Sequence, residues 1–435
     1  MVSGATPITT ATRDAVTVIT VDQPPVNALS YAVRAGLLDA VRRANANPGV
    51  DALVIACAGR TFIAGADLAE FDCPPEPPHL PEITQAIEDS EKPIVAALHG
   101  TALGGGFEIA LACHYRVAAP GTKVGLPEVR LGLLPGAGGT QRLPRLVGFE
   151  RALAMITGGE PVRAVDALAD GALDEIAGDD LVTSAIAAAR RLAAGAARPR
   201  RTGALPVPRV GDEAFEHARE SAAKKQRGRV APLAAIDAVQ AAVRLPLVEG
   251  LARERELFLE LRASPQAAAL RYAFVSEREV AKVPWLGSDV QPREVRRVGV
   301  VGAGTMGGGI AMCFANAGFP VTVLDADAAG LARGMDNIRR NFLASVARGR
   351  LAQAAMDERM DRITATLEWS ALRDADLIVE AAYEDIDVKR RVFERLDAVA
   401  KPGAVLATNT SYLDVGTIAA FTRRPQDVVG MHFFS

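Results

Sequence analysis

The chain has 435 residues, 49 Lys+Arg against 52 Asp+Glu, a formal net charge of -3 and 49% hydrophobic residues. That length exceeds what a single hydrophobic core sustains and predicts at least two domains, and the near balance of charge excludes a polybasic binder of nucleic acid or membrane surface. No apolar run is long enough to span a bilayer and Met1 to Thr10 lacks a signal-peptide pattern, so a soluble cytoplasmic protein without membrane insertion is expected.

Ala15 to Asp22 alternates in the manner of a half-buried strand, an amphipathic helix runs from about Ser30 to Asn45, and Asp51 to Ala58 is a second, apolar strand. Small residues follow in Ala64-Gly65-Ala66-Asp67, where Asp67 reads as a helix cap and leaves backbone N–H groups free near Ala66. The Pro-rich piece from Cys73 to Pro81 is predicted to be irregular. Cys57, Cys73, Cys113 and Cys313 are far apart and mostly in apolar contexts, which predicts buried reduced thiols and no metal site.

Pro93 to Leu98, a third apolar strand, leads into Gly104-Gly105-Gly106-Phe107-Glu108 and an apolar helix. Consecutive glycines cost backbone entropy and suit a chain that takes positive φ or approaches a ligand closely. A helix starting there aims free N–H groups and the positive end of its dipole at whatever lies in front, which favours an oxyanion. The alternative is a turn that merely packs helix on strand, with Glu108 solvated. His114 to Ala118 reads as a short strand, a second carboxylate arrives in Gly125-Leu126-Pro127-Glu128, and Leu134 to Thr140 forms another glycine-rich turn. Strand and helix alternate throughout, so the class is α/β.

The Ala64-Gly65-Ala66-Asp67 loop, the Gly104 to Glu108 turn, the Gly125 to Glu128 loop and Pro135-Gly136-Ala137-Gly138-Gly139-Thr140 together resemble the enoyl-CoA hydratase/isomerase (crotonase) family over residues 10 to about 190. The resemblance implies that the N–H groups of Ala66 and Gly105 hold a thioester oxygen as it becomes an enolate. It implies also that Glu108 positions a water while Glu128 handles the proton at the α carbon. Hydration of a conjugated thioester needs such a pair, with pKa values pushed apart by burial and mutual repulsion. Family members that keep only the second carboxylate tend to be isomerases.

Ala164 to Gly171 reads as a helix ending in a Gly cap, and Arg198 to Pro232 as a surface segment or linker without clear periodicity. Lys224-Lys225-Gln226-Arg227-Gly228-Arg229 within it reads as a solvated charged face, with the phosphates of CoA as the functional alternative. Residues 245 to 290 carry charged helices, which by resemblance to multifunctional β-oxidation enzymes connect the two halves and pack back over the first.

Val295 to Val301 is an apolar strand followed by Gly302-Ala303-Gly304-Thr305-Met306-Gly307, a helix, and a strand from Pro320 to Leu324 that ends at Asp325. Glycines for a tight turn and close pyrophosphate approach, with an acid after the next strand, are the parts of a dinucleotide site, and an acid at Asp325 favours NAD over NADP. The further segments Asp376 to Glu384, Ala404 to Ser411 and Val428 to Phe434 resemble the L-3-hydroxyacyl-CoA dehydrogenase family. That resemblance implies Glu384 and Lys389 near the cofactor, Ser411 on the substrate oxygen and His432 as general base. Beyond such a histidine the family places an orienting glutamate, a substrate-binding asparagine and a helical domain. The chain ends at Ser435, before them, and the dehydrogenase half is expected to be weak or inactive.

The expected architecture is a crotonase-type ββα spiral domain over 1–195, a linker and helical connecting region over 196–292, and a doubly wound Rossmann-type NAD-binding domain over 293–435 that lacks the usual helical C-terminal domain. The expected ligands are acyl-CoA substrates and NAD, with no nucleic acid, and an oligomer is possible through the crotonase domain. The expected activity is hydration of 2-trans-enoyl-CoA in fatty acid β-oxidation. The alternatives are a Δ3-Δ2-enoyl-CoA isomerase and a CoA- and NAD-binding protein with catalysis lost.

Overall fold

The structure is a computed structural model that describes residues 6–195, 198–280, 282–284, 286–287 and 289–434. Two compact units meet in sequence at Val283 and Pro284. In the first the strands are β1 (Ile8–Arg13), β2 (Val16–Val21), β3 (Ala52–Cys57), β4 (Ile94–Leu98), β5 (Thr101–Leu103), β6 (Tyr115–Ala118), β7 (Lys123–Gly125), β8 (Val162–Arg163) and β9 (Glu175–Ile176). They form a large sheet in the order β1-β2-β3-β4-β6-β9 and a small one in the order β5-β7-β8. Apart from the β1–β2 hairpin the large sheet is parallel. Its inner strands are therefore covered on both faces and read as unbroken apolar runs, Ala-Leu-Val-Ile-Ala-Cys in β3 and Ile-Val-Ala-Ala-Leu in β4.

The path from sheet to sheet positions the candidate site. β4 enters the large sheet, β5 the small one, and the helix Gly105–Ala112 follows; β6 and β7 repeat the step before the 3-10 turn Glu128–Leu131. β5 and β7 are parallel neighbours, with Leu103 opposite Gly125, and the Gly104 N–H donates to Gly125 O at 2.9 Å. Glu108 and Glu128 thus leave the same end of one strand pair.

The helices Asp212–Lys225, Ala231–Arg244, Leu247–Arg262 and Pro265–Val280 bury Phe215, Ala235, Val239, Leu257 and Ala267 in the core that also holds Leu98 and Phe107. Most of the segment expected to connect the halves, 196–292, is thereby part of the first unit. The stretch expected to be aperiodic, Arg198 to Pro232, contains a full helix. Asp212–Lys225 buries only Phe215 and Ala222, too few apolar positions to show a helical period among its charges. The β1–β2 turn is equally silent in sequence: Asp14 and Ala15 take φ of 47° and 62° without the Gly or Asn that marks such hairpins.

In the second unit β10 (Val298–Val301), β11 (Val321–Leu324), β12 (Ile363–Thr366), β13 (Leu377–Glu380), β14 (Val405–Thr408) and β15 (Val428–Gly430) make one sheet in the order β12-β11-β10-β13-β14-β15. Every pair in it is parallel. The strand order reverses at β10, the switch point where a doubly wound sheet opens a crevice for ligand. The strand expected to reach Phe434 pairs only as far as Gly430 and forms the sheet edge.

All four cysteines are free, but Cys113 alone is buried; Cys57 is half-buried, and Cys73 and Cys313 are exposed. The expectation of buried thiols fails where the chain runs through the Pro-rich loop and along an outward helix face. Among the described residues no helix is long and apolar enough to cross a membrane.

Candidate functional site

Glu108 sits in the first turn of Gly105–Ala112, 3% exposed, and its Oε1 accepts from the N–H groups of Ala137 and Gly139 at 2.7 and 2.9 Å. Burial raises its pKa, opposed by those two N–H groups and by the Arg142 and Arg255 guanidiniums. Glu128 is pushed well above the usual carboxylate range, by burial first, then by the neighbouring Glu108 and by Glu254. Its Oε2 is buried without a hydrogen-bond partner among the described residues.

The glycines hold this space open. Gly104 takes φ 53°, and a Cβ there would stand 3.0 Å from Glu128 Oε1 and 3.8 Å from Gly65 Cα. A Cβ on Gly106 would stand 2.1 Å from Ile63 O. The Gly65–Ala66 loop therefore lies against the start of the Gly105–Ala112 helix. The Leu29 N–H donates to Gly65 O at 3.0 Å and holds that loop, while the N–H groups of Ala66 and Gly105 have no acceptor among the described residues.

The turn that holds Glu108 carries a second carboxylate. Glu254, 1% exposed on Leu247–Arg262, accepts at Oε1 from Gly138 N–H at 2.6 Å and at Oε2 from Thr140 N–H and Oγ1 at 3.0 and 2.5 Å. Burial and the nearby Glu108 push it up to about 8, against those three donors. Arg142 pairs with buried Glu88 at 2.8 Å and donates to Ala137 O at 3.0 Å, fixing the same turn from its other side. Arg130, Lys225, Arg227 and Arg229 line an open cleft of about 400 Å³ beside Val129, and their side chains are exposed, as a solvated face requires.

In the second unit Gly302 takes φ 100°, and its N–H donates to Leu324 O at 2.7 Å. A Cβ on Gly307 would stand 1.8 Å from Gly302 O, whereas one on Gly304 would meet nothing within 4 Å. The first glycine makes the turn, the last lets the helix Thr305–Asn316 pack on it, and Gly304 leaves space in front of the helix start, beside Thr305 and Met306. Asp325 Oδ2 accepts from Ala303 N–H at 2.7 Å, so the acid at the end of β11 braces the glycine loop.

Lys389, 1% exposed, lies 2.8 Å from Glu380 Oε1 and 3.2 Å from Glu384 Oε2. Glu384 also accepts from Thr410 Oγ1 at 2.5 Å and Ser411 N–H at 2.8 Å. Although burial raises the Glu384 pKa, these partners outweigh it and hold the carboxyl below the usual range. Ser411 Oγ lies 3.2 Å from His432 Nε2, and both residues are exposed. The structure thus joins Lys389, Glu384, Ser411 and His432 in one line of contacts.

The family described as enoyl-CoA hydratase/isomerase matches residues 11–202, and the one described as 3-hydroxyacyl-CoA dehydrogenase, NAD binding domain, matches residues 297–435. The chain joins a domain of the first family to a domain of the second. It is 41% identical over 431 residues to the peroxisomal bifunctional enzyme of Danio rerio, covering 97% of this chain and 59% of that protein. It is 34% identical to the peroxisomal fatty acid beta-oxidation multifunctional protein MFP2 of Arabidopsis thaliana, covering 97% and 60%. Among solved structures, carnitinyl-CoA hydratase of Mycobacterium avium is 30% identical, with 63% of this chain and 97% of that one covered and a TM-score of 0.48. The chain spans about six tenths of the length of the curated relatives it matches.

In the hydratase/isomerase domain, sequence reasoning passed over Glu254, the one fully buried charge on the helix Leu247–Arg262, which lies outside the matched residues. In the NAD-binding domain it passed over Glu380, fully buried at the end of β13, and Gly334, where a Cβ would stand 2.3 Å from Ala303 O. A charged residue closing an apolar strand was the signal for the first. The NAD-binding domain fits its cofactor: Gly304 opens space before a helix start, and Asp325 stands at the end of β11. Among the described residues no group of three or more His, Cys, Asp or Glu could hold a metal ion.

Proposed function

We propose that the hydratase/isomerase domain adds water to 2-trans-enoyl-CoA, giving L-3-hydroxyacyl-CoA in fatty acid β-oxidation. The observation that carries this is the difference between two neighbouring carboxylates: Glu108 is held by two N–H groups, and half-buried Glu128 has a buried Oε2 with no hydrogen-bond partner among the described residues. Burial and the neighbouring Glu108 raise the Glu128 pKa, which suits it to give a proton to the α carbon, while Glu108 orients the water and takes its proton as oxygen bonds to the β carbon. The N–H groups of Ala66 and Gly105 are placed to hold the charge that gathers on the thioester oxygen. Incubation with crotonyl-CoA, followed by loss of the conjugated enoyl-thioester absorbance, tests the reading; no hydration at high enzyme overturns it.

Glu128 also favours a second activity. A carboxyl with a raised pKa and an unpartnered oxygen can move a proton between the α and γ carbons without the other glutamate, which supports Δ3-Δ2 isomerisation.

In the second domain NAD, when bound, supplies a hydride acceptor. Gly302, Gly304 and Gly307, with Thr305 and Met306, would hold its phosphates, Asp325 would take the ribose, and Glu384 and Lys389 would lie near it. Ser411 holds the substrate oxygen and His432 takes the hydroxyl proton. We infer NAD-dependent oxidation of the 3-hydroxyacyl-CoA at this site, on the contact of Ser411 with His432. NADH formation after hydration checks this.

For its compartment we infer the cytoplasm, from the free cysteines and absence of a membrane-spanning helix among the described residues. The relatives are called peroxisomal, and cell fractionation decides. Self-association through the first domain has exposed Val248 and Tyr272 as its support and sedimentation velocity as its test.

A further inference from the structure

The four residues Ala137–Thr140, which lead into the helix Gly139–Val147, serve two carboxylates in alternation. Glu108 takes the N–H groups of Ala137 and Gly139, and Glu254 takes those of Gly138 and Thr140. The four amides are consecutive in the chain, so each carboxylate grips N–H groups on both sides of one gripped by the other. Gly138 at φ 101° permits the reversal, and Arg142, Thr84 and the Ala137 carbonyl close the turn on its far side.

The helix that brings Glu254 is itself clamped to this turn. Thr140 Oγ1 donates to Glu254 and accepts from Gln141 Nε2 at 2.9 Å; Gln141 in turn donates to Ala238 O at 2.8 Å. Gly250 leaves the room that Gln141 occupies, since a Cβ there would stand 2.2 Å from Gln141 Oε1. A cavity of about 70 Å³ is lined by Gly138, Arg142, Glu254 and Arg255.

We propose that Glu254 is a positioning residue for hydration: by gripping the even amides of the 137–140 turn it fixes the odd amides that orient Glu108. The inference rests on the proposed hydratase activity. It makes the helix Leu247–Arg262, outside the residues matched to the hydratase/isomerase family, a working part of that site. The groups facing Glu254 are Glu108 on Gly105–Ala112, Glu128 on its 3-10 turn, Arg142 with its partner Glu88, and Arg255 on the same helix. Above about pH 8, where Glu254 is ionised, its charge raises the Glu128 pKa; without that charge the Glu128 proton donor is lost at lower pH on the alkaline side.

The test uses the full chain, with crotonyl-CoA hydration of the wild type as control. Glu254→Gln, which keeps the shape but offers one acceptor atom instead of two, should lower kcat about tenfold or more with KM little changed. The alkaline limb of its kcat profile should move to lower pH. Combined with Glu108→Gln, the further loss should vanish, since Glu254 acts through Glu108. Thr140→Val, which deletes only the hydroxyl donor, should show a smaller loss of kcat in the same sense and decides the matter if Glu254→Gln fails to fold. A folded Glu254→Gln with wild-type kcat and pH profile overturns the proposal, as do fully additive losses or a Thr140→Val indistinguishable from wild type. A wild type that hydrates nothing overturns the hydratase reading, and this one with it; an active wild type with an indifferent Glu254 overturns this one alone.

Discussion

Gly104 and Glu128 are held so that a methyl group on the glycine would stand 3.0 Å from the carboxylate Oε1. The glycine also has φ 53°, a region other L residues enter at a cost. Gly104→Ala should therefore destabilise the first domain by about 1 kcal/mol or more and displace Glu128, lowering hydration about tenfold or more. Thermal melting and the crotonyl-CoA assay read the two effects separately.

Glu108→Gln and Glu128→Gln should each reduce the kcat of hydration about 10²- to 10⁴-fold. They should part company on a 3-enoyl-CoA substrate: Glu108→Gln keeps much of the isomerisation and Glu128→Gln abolishes it. Equal loss in both assays would remove the basis for a separate isomerase activity.

Asp325→Asn should weaken NAD binding about tenfold, by removing an anion that braces Ala303 and faces the ribose side of the loop. Calorimetric titration with NAD measures it without any turnover. Hydration of crotonyl-CoA should be unchanged.

Lys389 neutralises two carboxylates, and its partner Glu380 is fully buried. Lys389→Met leaves a buried negative charge and should cost about 3–5 kcal/mol in the second domain's unfolding. Lys389→Met with Glu380→Gln should recover a large part of that. No recovery in denaturant titrations would mean the lysine acts through packing alone.

The pH dependence of stability has a definite sign. Glu254 titrates at about 8 in the folded chain and at its ordinary value, 4.5, in the unfolded one, so its contribution is complete below 4.5 and lost as pH rises through about 8. The wild-type Tm should fall more steeply than that of Glu254→Gln between about pH 5 and pH 9. Parallel curves would place the Glu254 proton elsewhere.

Much of this was legible in the residues. Runs of apolar residues gave the parallel strands because both sheet faces are covered, as in β3 and β4. Glu108, Glu128 and the Gly302–Gly307 turn were visible because glycines beside charges are costly without a purpose. Hidden were features whose reason lies far away in the chain. Glu254 reads as one more surface charge until the fold places it 2.6 Å from Gly138 N, and Phe215 reads as a stray aromatic until it meets Phe149 edge-on at 4.6 Å.

The burial of Phe215, Val239 and Leu257 in the core of the sheets separates two meanings of the word domain. The stretch that bears the hydratase/isomerase likeness ends at 202, but the compact unit runs on to Val283. A fragment cut at the first boundary would lose the anchor of its Gly138–Thr140 turn and bare an apolar floor to water, and should aggregate; one cut at the second should fold and keep its chemistry.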